Sequence, residues 1–434
     1  MKTIAAVLFL ASISAPAFAQ ASQETLGASI ASAFDSNPTL LSQRKTRGTA
    51  DEALEQARAA MRPSLSLNGS YAGLDDKPGQ GFTLPNGNNF PPSGNYERAT
   101  AGLEARQTLY AGGSLSAQRR QAEAGVGAAK AKLTSFEQQL MLDVVTAFVD
   151  VRRAEQEVAI RETNTASLQQ QVQAATDRFN VGEVTRTDVA QAQARHAGAQ
   201  ADLASAEARR AAARATFERL VGRPAVQLAE PPPPPAIPAT LEEAINTGLK
   251  ENPDLVSLRA AEQGAREGVG VARGALRPNL GLAANAGLTD TYVDNSYKDT
   301  SVSVTARLSI PIYQGGLVAS RTRSAQLNAD RAHFDALAQE RVVTSQVTSA
   351  WHGVISARQG IDASRSRVTA AQTALEGATQ ELSVGTRITL DVLDQERELL
   401  DAQLGLVDSQ RAEYVAVMQL LAATGRLQPG IFGR

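Results

Sequence analysis

The sequence contains no cysteine. Disulfide bonds, thiolate metal sites and a cysteine nucleophile are excluded with it. Aromatic residues make up only 4% of the chain, with a single tryptophan. Such a composition, rich in Ala, Gln and Ser over long stretches, suits long helices with closely approaching backbones better than a compact aromatic core. Neither sign of charge dominates, since 43 Lys and Arg stand against 45 Asp and Glu. The basic excess that marks a nucleic-acid binder is missing. His196, His333 and His352 are the only histidines, and they form neither a metal-ligand set nor a catalytic triad. No enzymatic activity and no cofactor are expected. Past the N-terminus, no apolar run reaches the ~20 residues that a membrane-crossing helix needs.

What is present begins with an export signal. Lys2 precedes an apolar run from Ile4 to Ile13, followed by Ala17-Phe18-Ala19. A charged start, a short apolar region and a small-x-small site predict a signal peptide over residues 1–19. An exported chain without apolar helices can span a membrane only as a β-barrel.

The chain is an internal duplication. Asn37-Pro38 recurs as Asn252-Pro253 and Arg62-Pro63 as Arg277-Pro278, both at 252 − 37 = 277 − 62 = 215. Tyr110, Gly112 and Gly113 recur as Tyr313, Gly315 and Gly316, at 313 − 110 = 203. Gly182, Asp188 and Gly222-Arg223 keep that offset, matching Gly385, Asp391 and Gly425-Arg426. The offset changes across a longer first-copy loop, Asp75 to Asn95, rich in Gly, Pro and Asn. Ordered matches of this kind mark one supersecondary unit used twice. The first repeat spans residues 20–229, a proline-rich linker spans 230–239, and the second repeat spans 240–434. The linker, with Pro231 to Pro235, is a stiff connector.

Each unit reads alike. Two short helices (about 22–35 and 38–61; 241–250 and 253–276) are broken at Asn-Pro and ended at Arg-Pro. Two alternating strands follow, about 64–74 and 98–110, then about 280–290 and 300–313. Leu65, Leu67, Tyr71, Leu103, Val302, Val304, Leu308, Ile310 and Ile312 fall on one set of faces. Arg98, Glu104, Arg106 and Arg307 fall on the other, as a wet lumen allows. Glycine pairs then lead into helices of about 114–180 and 317–383. In the first, Val126, Ala129, Leu133, Phe136 and Leu140 form a coiled-coil seam. Shorter helices return over about 187–221 and 390–423, and we expect each to stack end to end with a short helix beside the long one. The hairpin tips, about 180–188 and 383–391, each carry a helix-ending glycine. Thr187 or Asp188 is the expected cap of the first return helix.

Four strands leave two unpaired edges, which lipid does not tolerate. The chain must therefore share a barrel with copies of itself. Eight strands would be filled by their own side chains, so a conducting pore needs three copies or more. A periplasmic coiled-coil adaptor is the rival reading, but an adaptor should also carry lipoyl-like and other β domains.

The sequence resembles the TolC family of outer-membrane efflux and type I secretion channels over essentially the whole mature chain. The residues that carry the resemblance are Ile310-Pro311-Ile312-Tyr313-Gln314-Gly315-Gly316, Phe179-Asn180-Val181-Gly182 with Thr187-Asp188-Val189, and Ser383-Val384-Gly385-Thr386-Arg387 with Asp391-Val392-Leu393-Asp394. The resemblance implies a mixed membrane β-barrel plus α-helical barrel. It would be a homotrimer with a twelve-stranded barrel in outer-membrane lipid and a long coiled-coil periplasmic tunnel. It implies docking through a periplasmic adaptor (membrane fusion protein) onto an inner-membrane transporter of RND or ABC type. No nucleic acid is involved. It further implies an entrance constriction at Asp391 and Asp394, and closing contacts from Arg387 to Thr187 and Asp188. Adaptor-contact turns are implied at Gly182, Glu183, Val184, Gly385 and Thr386. A tyrosine that helps closure in the family is replaced by Leu382.

Overall fold

The computed structural model describes residues 23–76, 82–83, 89–90, 94–292 and 297–432. The expected signal peptide and much of the long first loop lie outside the described residues. The first half runs α1 (Leu26–Ser36), α2 (Pro38–Ala59), β1 (Ser64–Asp76), a two-strand loop hairpin β2 (Phe82–Thr83) and β3 (Asn89–Phe90), β4 (Gly94–Ala111), α3 (Ser114–Asn180) and α4 (Arg186–Val221). The second runs α5 (Leu241–Glu251), α6 (Pro253–Gly274), β5 (Asn279–Tyr292), β6 (Tyr297–Ser309), α7 (Leu317–Ser383) and α8 (Thr389–Ala423). A short 3₁₀ turn, Pro429–Phe432, follows. No helix among the described residues is long and apolar enough to cross a membrane.

The long helices α3 and α7 have 67 residues each, about 100 Å at 1.5 Å per residue. Each starts after a glycine in the left-handed region, Gly113 at φ 82° and Gly316 at φ 81°. Ahead of Gly113, Gly112 has φ 63°, and a Cβ there would lie 2.2 Å from the Gly274 carbonyl oxygen. Only glycine fits that strand-to-helix corner.

The Asn-Pro breaks join helices rather than merely interrupting them. Asn37 Oδ1 accepts from the backbone N–H groups of Thr39 (3.0 Å) and Leu40 (3.3 Å), and its Nδ2 donates to the Leu220 carbonyl (3.2 Å). One side chain caps the start of α2 and the end of α4. Asn252 repeats this, accepting from Asp254 (3.1 Å) and Leu255 (3.2 Å) and donating to Ala423 (3.0 Å). The return helices therefore abut the short helices end to end, as the lengths predict. Around these junctions lies the main core, with Met141, Val144 and Phe148 of α3, Phe217 of α4, Leu26 of α1, Leu255 of α6 and Met418 and Leu420 of α8. Of the expected α3 seam, Leu140 is buried, whereas Leu133 and Phe136 are half-buried.

The four long strands form one antiparallel sheet in the order β1-β4-β5-β6. The two repeats join through β4 and β5, leaving β1 and β6 at the edges. Register places Leu67 opposite Leu103, Leu103 opposite Ala286, and Ala286 opposite Val302, all on one face. Leu67 and Val302 are 77% and 78% exposed, so this apolar face is not covered within one chain. Thr108 and Arg307 both oppose Gly281, which puts Arg307 on the face of Arg98, Glu104 and Arg106. One expectation needs correction. Strand β6 stops at Ser309 rather than near residue 313, because Pro311 lacks the N–H a ladder requires; Ile310 and Ile312 belong to the extended connector. A register shift between Thr108 and Tyr110 leaves Leu109 as the extra residue of a bulge.

Candidate functional site: the hairpin turns and the α3–α4–α8 seam

Both hairpin tips close in the same way. Gly182 has φ 83° and Gly385 φ 77°. Gly182 N–H donates to Phe179 O (2.9 Å) and Glu183 N–H to Arg178 O (2.9 Å). Gly385 N–H donates to Leu382 O (3.1 Å) and Thr386 N–H to Glu381 O (3.0 Å). Left-handed glycine with these bonds is the helix-ending motif the sequence predicts. The turns project apolar side chains into solvent, with Val181 71%, Val384 73% and Ile388 62% exposed. Val184 is half-buried beside the exposed Glu183.

The start of α4 differs from expectation. Its cap is Thr185, not Thr187 or Asp188. Asp188 completes a capping box, its Oδ2 accepting from Thr185 N–H (2.8 Å) and Oγ1 (2.9 Å) while Thr185 Oγ1 accepts from Asp188 N–H (3.3 Å). Thr187 is exposed on the first turn. In α8 the equivalent cap position is Ile388, and no side-chain bond closes it.

Asp391 lies in the first turn of α8. Among the described residues no hydrogen bond or ion pair holds its carboxylate. Three residues on, and so on the same helix face, Asp394 does have a partner. Its Oδ1 accepts from Arg195 Nη2 of α4 at 2.9 Å. Within the protomer, Arg387 pairs with Glu381 of its own tip (Nε to Oε2, 2.5 Å) rather than with Thr187 or Asp188.

Two functional candidates escaped the sequence. Arg195 is one; nothing near residue 195 announces a contact 199 positions away. Glu396 is the other. It is 8% exposed, its Oε1 accepts from Ser167 Oγ (2.8 Å) and Gln171 Nε2 (3.2 Å) of α3, and its Oε2 is buried without a partner. Burial pushes its pKa above the ordinary carboxylate value, and the two donors only partly oppose that. Higher on the same seam, α8 joins α3 through Arg153–Asp408 and Arg411–Asp150. Among the described residues no cluster of three or more His, Asp or Glu side chains could hold a metal ion.

Comparison with known proteins bears on this arrangement. The outer membrane efflux protein family matches residues 29–223 and 244–426, nearly the whole described chain and both repeats. The outer membrane efflux protein BepC of Brucella suis biovar 1 (strain 1330) is 32% identical over 406 residues, covering 93% of this chain and 86% of that protein. The outer membrane protein TolC of Escherichia coli (strain K12) is 28% identical over 411 residues, covering 90% of this chain and 80% of TolC. Among solved structures, the outer membrane protein VceC of Vibrio cholerae superposes with a TM-score of 0.78 at 20% identity, covering 92% of this chain and 96% of VceC. Four amphipathic strands, two end-capped helical hairpins and this agreement in sequence and shape have one outcome: the chain belongs to the outer membrane efflux protein family and is an outer-membrane exit duct with a large periplasmic part, not an adaptor.

Proposed function

We propose that three copies of this chain close a twelve-stranded barrel and a periplasmic helical tunnel. Small toxic molecules, type I secreted proteins or both would leave through it. An inner-membrane transporter of RND or ABC type would deliver them through a periplasmic adaptor. The observation that carries the trimer is an asymmetry between the repeats. Helix α6 packs along both α3 and α7, whereas its counterpart α2 packs along α3 alone. By the duplication, α2 lacks a second long helix, and the α7 of another copy supplies it. The α7 surface fits this role. Ala124 and Ala131 of α3 are buried, and Ala124 faces Gly264 of α6. Their equivalents at the offset of 203, Leu327 and Phe334, are 69% and 66% exposed. The open edges of β1 and β6 ask for the same neighbour.

The periplasmic entrance would be the α7–α8 tips. Asp391 would line its constriction with Asp394 near it, and threefold repetition of the unpaired Asp391 favours cations. The exposed valines of the tips, with Gly182, Glu183, Val184, Gly385 and Thr386, would form the adaptor-contact surface, since exposed apolar patches mark docking sites. Between protomers, Arg387 would reach Thr187 and Asp188; the capping box occupies Oδ2 of Asp188 and leaves Oδ1 to accept.

Reconstitution of the mature protein in a planar bilayer tests this. A small, cation-selective conductance is expected. Asp391→Ala should abolish most of the selectivity and the block by multivalent cations. Arg387→Ser should enlarge the conductance. An impermeable protein, or an Asp391→Ala channel with unchanged selectivity, would refute the entrance assignment.

A further inference from the structure

We propose that Arg195 is a positioning residue of the gate. It latches the second hairpin to the first inside each protomer by holding Asp394. This rests on the duct reading above. The pair joins α4 to α8, two helices that otherwise touch sparsely. It is the ion pair between the hairpins that lies nearest the turns, since Arg153–Asp408 and Arg411–Asp150 fall farther along α8.

The surroundings of the pair suit a contact that opens. Just beside it, Leu168, Ala199 and Leu393 form a small apolar cluster. Glu396 follows, tied to Ser167 and Gln171. Farther along α8, past the Arg153–Asp408 and Arg411–Asp150 pairs, the seam enters the main core at Tyr414, Met418 and Leu421. An opening confined to the part nearer the turns leaves that core in place and uncovers only the small cluster, so water can replace the lost contacts at modest cost. By contrast α7 and α8 pack together with Ala371, Ala378 and Val392 buried, and that pair would move as one body. The latch is also unique in the protomer. At the offset of 203, Asp394 corresponds to Gln191 and Arg195 to Glu398, and Glu398 instead pairs with Arg367 inside the second hairpin.

A second consequence concerns charge. Asp394 is neutralised by Arg195, and Asp391 has no partner among the described residues. The constriction therefore carries one uncompensated carboxylate per protomer rather than two.

Bilayer recordings of the full mature protein separate the possibilities. Arg195→Gln should raise the conductance roughly two- to fivefold, the range open to a half-exposed pair. It should also sharpen cation selectivity, because Asp394 is unmasked. Asp394→Asn should raise the conductance without that gain in selectivity. The exchange Arg195→Asp with Asp394→Arg should return the conductance to the wild-type level, which also guards against simple misfolding of a single variant. If Arg195→Gln conducts and selects as the wild type does, or if the exchange stays as open as the single variants, the latch is wrong and the duct stands. If the wild type itself does not conduct, the duct reading fails and the latch with it.

Discussion

At the scale of single residues, Glu396 is a costly group on the α3–α8 contact. One of its oxygens is bonded and the other is buried and bare. A carboxyl so placed prefers its proton, because burial penalises the charge. Its pKa is raised in the folded protein, so the folded state binds the proton more tightly than the unfolded state. The stability it contributes is complete below the ordinary carboxylate range and is lost as the pH rises through the raised value. Glu396→Gln should therefore raise the melting temperature at neutral pH, and the gain should shrink on acidification. Melting curves of both proteins from acid to neutral pH check this; a pH-independent difference would show that the charge is not what costs. The neighbouring arginines do not relieve it, since Arg161 serves Glu157 and Asp202, and Arg195 serves Asp394. None of this was legible in the chain. Glu396 stands among Gln395, Arg397 and Glu398, where a solvated helix face is the natural reading. The Thr185–Asp188 box, by contrast, has the Thr-x-x-acid spacing of a capping box, with Asp188 in the place of the usual Glu. That spacing marks Thr185, two positions before Thr187, as the cap.

At the scale of elements, the Asn-Pro junctions decide whether the short and returning helices behave as one rod. Asn37 and Asn252 each use an acceptor for the helix ahead and a donor for the helix behind. Aspartate keeps the acceptor and loses the donor, so Asn37→Asp sets a carboxylate against the Leu220 carbonyl. It should destabilise by about 1–3 kcal/mol, the cost of a buried unsatisfied group. Asn37→Ser should cost less, because it caps without introducing charge. Thermal unfolding in detergent ranks the two; equal losses would mean that the carboxylate does not act on the Leu220 carbonyl. The break itself was visible in the sequence from the proline, and the helix ends from glycine. The strand faces were visible from alternation, because each rule acts on neighbours in the chain. The tie from Asn37 to Leu220 spans 183 positions and follows only from the way the hairpin folds back. The end of β6 was misplaced for the opposite reason: apolar alternation continues through Ile310 and Ile312, while the backbone stops pairing before Pro311.

At the scale of the whole molecule, one chain is an incomplete pattern. Each long helix should be flanked by short helices from the two adjoining repeats. Inside the chain α3 has both 22-residue helices, α2 and α6, along it, whereas of these two α7 has only α6. The side of α7 bearing Ser320, Leu327 and Phe334 repeats the side of α3 bearing Ala117, Ala124 and Ala131. On α3 those residues are buried; on α7 they are not. Burying Leu327 and Phe334 against a neighbouring α2 would contribute roughly 1.5–3 kcal/mol per side chain, three times over in a closed ring. Two charges in their place should cancel that gain without disturbing either helix, because both side chains are exposed and the Phe334 ring lies against its chain neighbour His333, 5.8 Å between centroids, rather than in a core. Leu327→Asp with Phe334→Asp should thus give monomers in detergent, with helix content by circular dichroism close to that of the wild type. Light scattering after size-exclusion chromatography reads the mass directly. A double variant that still runs as a trimer would place the interface on another face of α7, and the counting of flanking helices would lose its force.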